Sequence, residues 1–155
     1  MIIDLIIKYK FFIYTLILCN CYKKMIYTIP SHLPEMPVYK KALEIFSLSR
    51  KISTYLNYDL SHLLVDGKED QNIYFSGDIV QQSESLVPEI IKAEAEIYSE
   101  NKHKHADSVR RLTNLLYKNC SRLEKSNSNG KDFIPILKKE LKIFRKLQRN
   151  WMLTL

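Results

Sequence analysis

Hydrophobic residues recur three and four positions apart along four separate stretches of this 155-residue chain. This spacing places them on one side of an α-helix, because a helix completes a turn about every 3.6 residues. With 3 glycines and 5 prolines, the chain has few of the residues that the turns of a β-protein require. The sequence therefore predicts an all-α protein. The clearest seam is the last one, formed by Ile134, Leu137, Leu141, Phe144, Gln148 and Trp151.

Helix-breaking and turn-forming residues determine the predicted ends of the helices. Three prolines before Val38 prevent regular helix, and Asp66-Gly67 and the segment KSNSNGKD mark later turns. Asp132 is the predicted N-cap of the last helix. The predicted helices cover residues 38–57, 69–100, 105–125 and 132–153. Four helices with short connections favour an up-down-up-down bundle over residues 37–155, with residues 1–36, an apolar extension and a proline-rich arm, outside its core.

The inner faces of the first three helices follow from the same spacing. Cys120 belongs to this set as a small core or boundary residue, and three cysteines without a closed pairing indicate a reducing compartment. The predicted inner residues are Ala42, Ile45, Phe46, Ser49, Ile52 and Leu56, then Ile73, Val80, Leu86, Ile90, Ile91 and Ile97, then Val109, Leu112, Leu115, Leu116, Cys120 and Leu123.

The first 24 residues, MIIDLIIKYKFFIYTLILCNCYKK, have two interpretations. As a signal-anchor they would tether the protein to a membrane, but their apolar run is far shorter than the roughly 20 residues that span a bilayer. No small-residue cleavage site follows either. The favoured interpretation is a loosely attached tail, or translation from Met25 in the cell. It predicts a cytoplasmic protein, and the alternative predicts a membrane-associated one.

The sequence contains no motif for catalysis or metal binding. His103 and His105 lie in KHKH, a predicted polar hinge between helices two and three, without a cysteine or carboxylate at ligand spacing. The Glu-x-x-His motif of di-iron bundles, a glycine-rich phosphate loop and a nucleophile motif are all missing from the sequence. We therefore expect a non-enzymatic protein without a cofactor or metal.

Basic residues supply the candidate site. The formal net charge is +7, and four basic residues of helix four are spaced by four, three and four, with Glu140 as the one acid near this stripe. Such a stripe is either an ordinary solvated helix face or a surface that binds nucleic acid through its phosphates. The candidate residues are Lys138, Lys142, Arg145, Lys146 and Arg149 in helix four, Arg110 and Arg111 in helix three, and Lys40 and Lys41 in helix one.

Two short segments and a tryptophan carry a family resemblance. The run SLVPEIIKAE, residues 85–94, resembles a motif of the bacterial four-helix-bundle proteins of ribosomal RNA intervening sequences, with Ala95 in place of their glycine. The start MPVYKK, residues 36–41, and the closing Trp151 are similar to the accessory variability determinants of diversity-generating retroelements. The resemblance implies a homopentamer of four-helix bundles whose positive surface binds a reverse transcriptase and its RNA template.

Pro88 lies in the middle of the resembling segment, inside predicted helix two. A proline there removes a helical hydrogen bond, so we expect helix two to be kinked at Pro88. Together these features predict a non-enzymatic, oligomeric helical scaffold that binds nucleic acid, a protein partner or both. One such role is that of an accessory protein of a reverse transcriptase. The alternative is a membrane-tethered protein-interaction module anchored by residues 1–24.

Overall fold

The computed structural model describes residues 30–155, and the predictions made for residues 1–24 lie outside the described residues. The helices are α1 (Pro37–Leu60), α2 (Asn72–Ala95), α3 (Ser99–Leu123) and α4 (Ile134–Met152). Short 3-10 helices cover Leu33–Glu35 and Asn129–Phe133, and no strand occurs between residues 30 and 155. The predicted all-α class is confirmed.

The helices form a four-helix bundle within the compact unit His32–Leu155. Helix α2 packs against both α1 and α3, and α4 packs against both α3 and α1, which closes the bundle. Each helix therefore has its sequence neighbours beside it, as an up-down-up-down order requires. None of the helices between residues 30 and 155 is both long enough and apolar enough to cross a membrane.

The core follows the predicted seams most closely in α4. All six predicted seam residues of α4 are buried, as are the predicted α1 residues except Phe46, which is half-buried. The core also reaches into the arm, which was predicted to lie outside it. Leu33 is fully buried there, so the hydrophobic core begins before Pro37.

Two predicted inner residues are wrong. Ile97 is 88% exposed because α2 ends at Ala95 and leaves it in the connection to α3. Leu115 is 43% exposed, and Thr113 occupies the inner position instead. Thr113 is compatible with burial because its hydroxyl donates to the Val109 carbonyl at 2.8 Å. A threonine that satisfies its hydroxyl within its own helix can therefore take an inward position that the hydrophobic pattern assigned to leucine.

The junction between α2 and α3 also differs from prediction. The chain leaves the helix at Glu96 and re-enters it at Ser99, so the break precedes the predicted hinge at KHKH by several residues. His103 and His105 consequently lie in the first turns of α3 rather than in a loop. No glycine or proline marks the residues Glu96–Tyr98, which is why the sequence pattern did not locate the break.

The start of α4 differs as well. Asp132 was predicted to cap this helix, but it lies in the 3-10 helix, and Phe133 occupies the N-cap position without a side-chain cap. Pro135 stands in the first turn, where a missing N–H removes no helical hydrogen bond. Thus half of the predicted loop KSNSNGKD is a short 3-10 helix rather than irregular chain.

Pro88 lies inside α2, which runs through it from Asn72 to Ala95. A proline at this position leaves the carbonyl of Glu84, four residues earlier, without its helical donor. The expected kink at Pro88 stays a prediction. The end of the same segment anchors α4, because the Trp151 Nε1 donates to the Glu94 carboxylate at 2.6 Å.

Candidate anion-binding surface

Three of the nine predicted basic residues are balanced by carboxylates. Lys40 lies 2.9 Å from Glu35, and Lys138 lies 2.8 Å from Glu124. Lys41 contacts Glu44 and also Glu140, the acid that the sequence placed near the stripe. Hydrogen bonds to these carboxylates raise the pKa of Lys41 and of Lys138, so both ammonium groups stay charged but paired. Lys41 and Lys138 are therefore poor candidates for contact with an anion, whereas the Lys40 and Glu35 side chains are 54% and 83% exposed and form only a weak pair.

Four others have no carboxylate partner among residues 30–155. They are exposed side chains, and three of them lie on the outer face of α4. The spacing of three and four residues keeps those three on one side of the helix, away from the core seam. The four residues are Arg111, Lys142, Lys146 and Arg149.

Arg145 is held in place by residues of α3. Its guanidinium lies 4.6 Å from the centre of the Tyr117 ring, and its Nη2 donates to the Asn114 side chain at 3.0 Å. A cation over an aromatic face is stabilised by the ring's negative surface. The Nε of Arg145 is buried and has no hydrogen-bond partner among the described residues. Arg145 is therefore held in one orientation by α3, and its guanidinium lies beside α3 rather than extending freely into solvent.

Arg110 completes the set from α3. Its Nη2 lies 2.9 Å from Asp107, but the two side chains are 63% and 55% exposed. Ion pairs this exposed contribute about 0–1 kcal/mol, because water screens them and two flexible side chains must be ordered. Arg110 can therefore leave Asp107 for a stronger anionic partner at little cost.

Helices α3 and α4 enclose a groove of about 360 Å³ beside these arginines. We call it the α3–α4 groove, and its lining is Arg110, Asn114, Arg145, Gln148, Arg149 and Met152. Gln148 is only 3% exposed, and its Nε2 has no hydrogen-bond partner in the described part of the chain. A buried donor without an acceptor costs about 1–3 kcal/mol, so the Gln148 amide is stabilised by any acceptor in the groove, whether water or a bound group.

Sequence reasoning found some of these residues and missed others. It selected Arg110, Arg145 and Arg149, and it assigned Gln148 to the buried seam of the last helix, where the structure places it. It missed Asn114 and Tyr117, which position Arg145 from another helix. Their roles depend on the packing of α3 against α4, and no local motif signals them.

The two histidines of KHKH differ in their surroundings. His105 Nδ1 lies 2.8 Å from Glu89 of α2, while His103 is exposed. Burial raises the pKa of Glu89, but hydrogen bonds from Lys92 and His105 lower it more, so its pKa lies below the ordinary value. Glu89 and His105 therefore link α2 to α3. No group of three His, Cys, Asp or Glu side chains able to hold a metal occurs in residues 30–155.

Comparison of the chain with protein-family models, curated proteins and solved structures finds no match in any of the three.

Cys120 gives a first testable prediction, because its thiol lies in the core. It is 0% exposed, and burial raises its pKa to about 12 although Lys138 acts in the opposite direction. The thiolate is the reactive form, so we expect the folded protein to leave Cys120 unmodified by a thiol reagent at pH about 8. The measurement is the release of thionitrobenzoate on a Cys19→Ser, Cys21→Ser background, before and after unfolding. Rapid labelling before unfolding would contradict the buried position.

Proposed function

We propose that this protein is a non-enzymatic helical scaffold that binds RNA through the basic face of α3 and α4. The observation that carries the proposal is the set of exposed basic residues without a carboxylate partner among residues 30–155, beside the anchored Arg145. The other helix-four lysine of the stripe, Lys138, is paired with Glu124. Lys40 and Lys41 are likewise paired, with Glu35 and with Glu44 and Glu140 respectively.

The chemistry of this face suits a phosphate backbone. Lysines and arginines that neutralise phosphates release counterions, which makes binding favourable and dependent on salt. The side chains do not form a platform for stacking bases, since Tyr117 is already covered by the cations of Arg145 and Lys138. We therefore propose binding through the backbone, without sequence preference.

Assembly and partner belong to the same proposal. The resemblance of residues 85–94 and 36–41 supports a homo-oligomer, a pentamer in the family concerned, in which the basic faces of several copies act together. It also supports a reverse transcriptase as the protein partner. Several copies of one weak phosphate-binding face on a single RNA would raise the overall affinity without new contacts.

The test is RNA binding by the full chain, followed by fluorescence anisotropy. The probe is a labelled single-stranded RNA with a 5′-hydroxyl end, titrated between about 50 and 200 mM salt. In the Lys142→Gln, Lys146→Gln double variant we expect the affinity to fall about tenfold or more and the salt slope to fall by about 1.4.

The control for this experiment is a double variant with the same loss of charge elsewhere. Lys51→Gln, Lys125→Gln removes two exposed lysines of α1 and of the loop after α3, away from the outer face of α4. It should bind RNA almost as the natural chain does. If both double variants lose the same affinity for RNA, binding depends only on the net charge of the protein and the outer face of α4 has no special role. If the natural chain does not bind RNA at the lowest salt, the proposal is refuted.

A further inference from the structure

Two hydrogen-bond donors in the residues that line the α3–α4 groove have no acceptor among the described residues. Gln148 Nε2 and Arg145 Nε are both buried without a partner among the described residues, and both residues line this groove. Buried polar atoms in folded proteins nearly always have a partner, either another protein group or an ordered acceptor such as water. Two such donors in the lining of one groove make this groove a candidate site for a bound acceptor group.

The charge of the groove indicates an anion. Arg110, Arg145 and Arg149 contribute three guanidinium groups, and none of the lining residues is acidic. The carboxylate of Asp107 pairs with Arg110 at 2.9 Å, where both side chains are mostly exposed. Arginine forks bind planar or tetrahedral oxyanions through two parallel hydrogen bonds, which lysines cannot do.

The number of donors favours a phosphate monoester over a phosphodiester. A phosphodiester has one charge and two free oxygens, whereas a monoester has a charge near −2 at neutral pH and three acceptor oxygens. Three arginines with the Gln148 amide exceed what one diester can accept. At about 360 Å³ the groove also leaves room for the group that carries the phosphate, against the apolar side chain of Met152.

Arg145 is prepared for this role before any ligand binds. Tyr117 and Asn114 hold its guanidinium, and its Nε has no hydrogen-bond partner among the described residues. A donor that is already oriented loses little conformational entropy when a ligand arrives. Gln148 is equally constrained, because it is 3% exposed and lies within the core seam of α4.

We infer that the α3–α4 groove is a binding site for a phosphate monoester, held by Gln148, Arg145, Arg110 and Arg149. On an RNA, the one place that offers this group is a phosphorylated strand end. The assignment of the ligand to an RNA end rests on the proposed function, whereas the phosphate site itself rests on the groove alone. When both hold, the groove binds the 5′-phosphate, and Lys142 and Lys146 contact the backbone that follows it.

The test of the phosphate site uses inorganic phosphate and isothermal titration calorimetry on the full chain. We expect saturable binding that weakens by about 10- to 100-fold in Gln148→Met, the range for one hydrogen bond to a charged group. Methionine nearly conserves the side-chain volume, so the core seam should survive. The exposed Arg149→Gln serves as a second variant where folding is not at risk, and it should weaken binding in the same way.

The control is Lys51→Gln, Lys125→Gln, which lies outside the groove lining and should leave phosphate binding unchanged, and Lys142→Gln, Lys146→Gln is measured beside it. No saturable phosphate binding by the natural chain, or equal binding by Gln148→Met and the natural chain, would overturn the site. Phosphate binding that depends on Lys142 and Lys146 but not on Gln148 would overturn it too, since the contact would then be with the open face.

A second arm distinguishes a strand end from a free ligand. RNAs of one sequence with a 5′-phosphate or a 5′-hydroxyl are compared with a nucleoside 5′-monophosphate. We expect the 5′-phosphate RNA to bind about tenfold more tightly than the 5′-hydroxyl RNA, and Gln148→Met to remove that preference. If phosphate and the nucleotide bind while neither RNA does, the groove stands and the proposed RNA function fails. If RNA binds without phosphate binding or end preference, the proposed RNA function stands and the groove site is overturned.

Discussion

Replacing Trp151 with alanine should lower the free energy of unfolding by about 3–5 kcal/mol, the range for deleting a buried aromatic side chain. Trp151 is 5% exposed at the end of the α4 seam. Its Nε1 also donates to Glu94 of α2 at 2.6 Å, and the other oxygen of that carboxylate lies 2.9 Å from His32 Nε2. The substitution therefore creates a cavity and removes a donor from a carboxylate that is only 12% exposed.

Two milder variants separate these effects. Trp151→Phe keeps most of the buried area but loses the donor, and we expect a loss of about 1.5–3 kcal/mol, typical of a hydrogen bond to a charged group. Glu94→Gln keeps an acceptor for the indole and should cost less than Glu94→Ala. Chemical denaturation followed by circular dichroism measures all four, since the single tryptophan cannot report on its own removal. A loss below about 1 kcal/mol in Trp151→Ala would contradict the buried contact.

This contact gives a structural role to the end of the segment SLVPEIIKAE, residues 85–94. Ala93 is fully buried, and Glu94 bonds to Trp151, so the Ala-Glu pair joins the end of α2 to the end of α4. The segment and the closing tryptophan, far apart in the sequence, are thus joined by one hydrogen bond.

The sequence predicted the helices better than their ends. The α4 seam was correct at all six positions, because a strong three-four pattern over a helix leaves few alternatives. The break at Glu96–Tyr98 was missed because extended residues there, rather than glycine or proline, end α2. Leu115 was misplaced since hydrophobicity alone could not foresee that Thr113 would bond to its own helix.

The candidate site was predictable in composition but not in geometry. The spacing alone placed Lys138 and Arg145 on the same stripe. In the structure Lys138 pairs with Glu124, whereas Arg145 donates to Asn114. Those partners come from a different helix or its end, so their positions depend on how α3 packs against α4. The same holds for Gln148, whose burial was predictable and whose groove was not.

The loop before α4 is fixed against α1 through Asp59. Its carboxylate accepts hydrogen bonds from the Ser128 hydroxyl at 2.9 Å and from the Asn129 backbone N–H at 2.8 Å. Ser128 in turn accepts from the Gly130 N–H at 3.0 Å. These contacts hold the backbone of Gly130 directly against α1, and they leave no room for a side chain there.

Gly130→Ala should therefore destabilise the protein by about 1–3 kcal/mol, the usual cost of overpacking a tight contact. The added Cβ would lie 2.8 Å from the Leu56 backbone nitrogen and 3.1 Å from its Cα. These are backbone atoms of α1, so no change of rotamer relieves the clash, and either the loop or the helix must move.

The matched control is Gly77→Ala in α2, where the new methyl group meets nothing within 4 Å. Because alanine is the better helix former, that variant should gain about 0.5–1 kcal/mol. Urea denaturation of both variants makes the comparison, and a Gly130→Ala protein as stable as Gly77→Ala would show that the loop does not rest on α1.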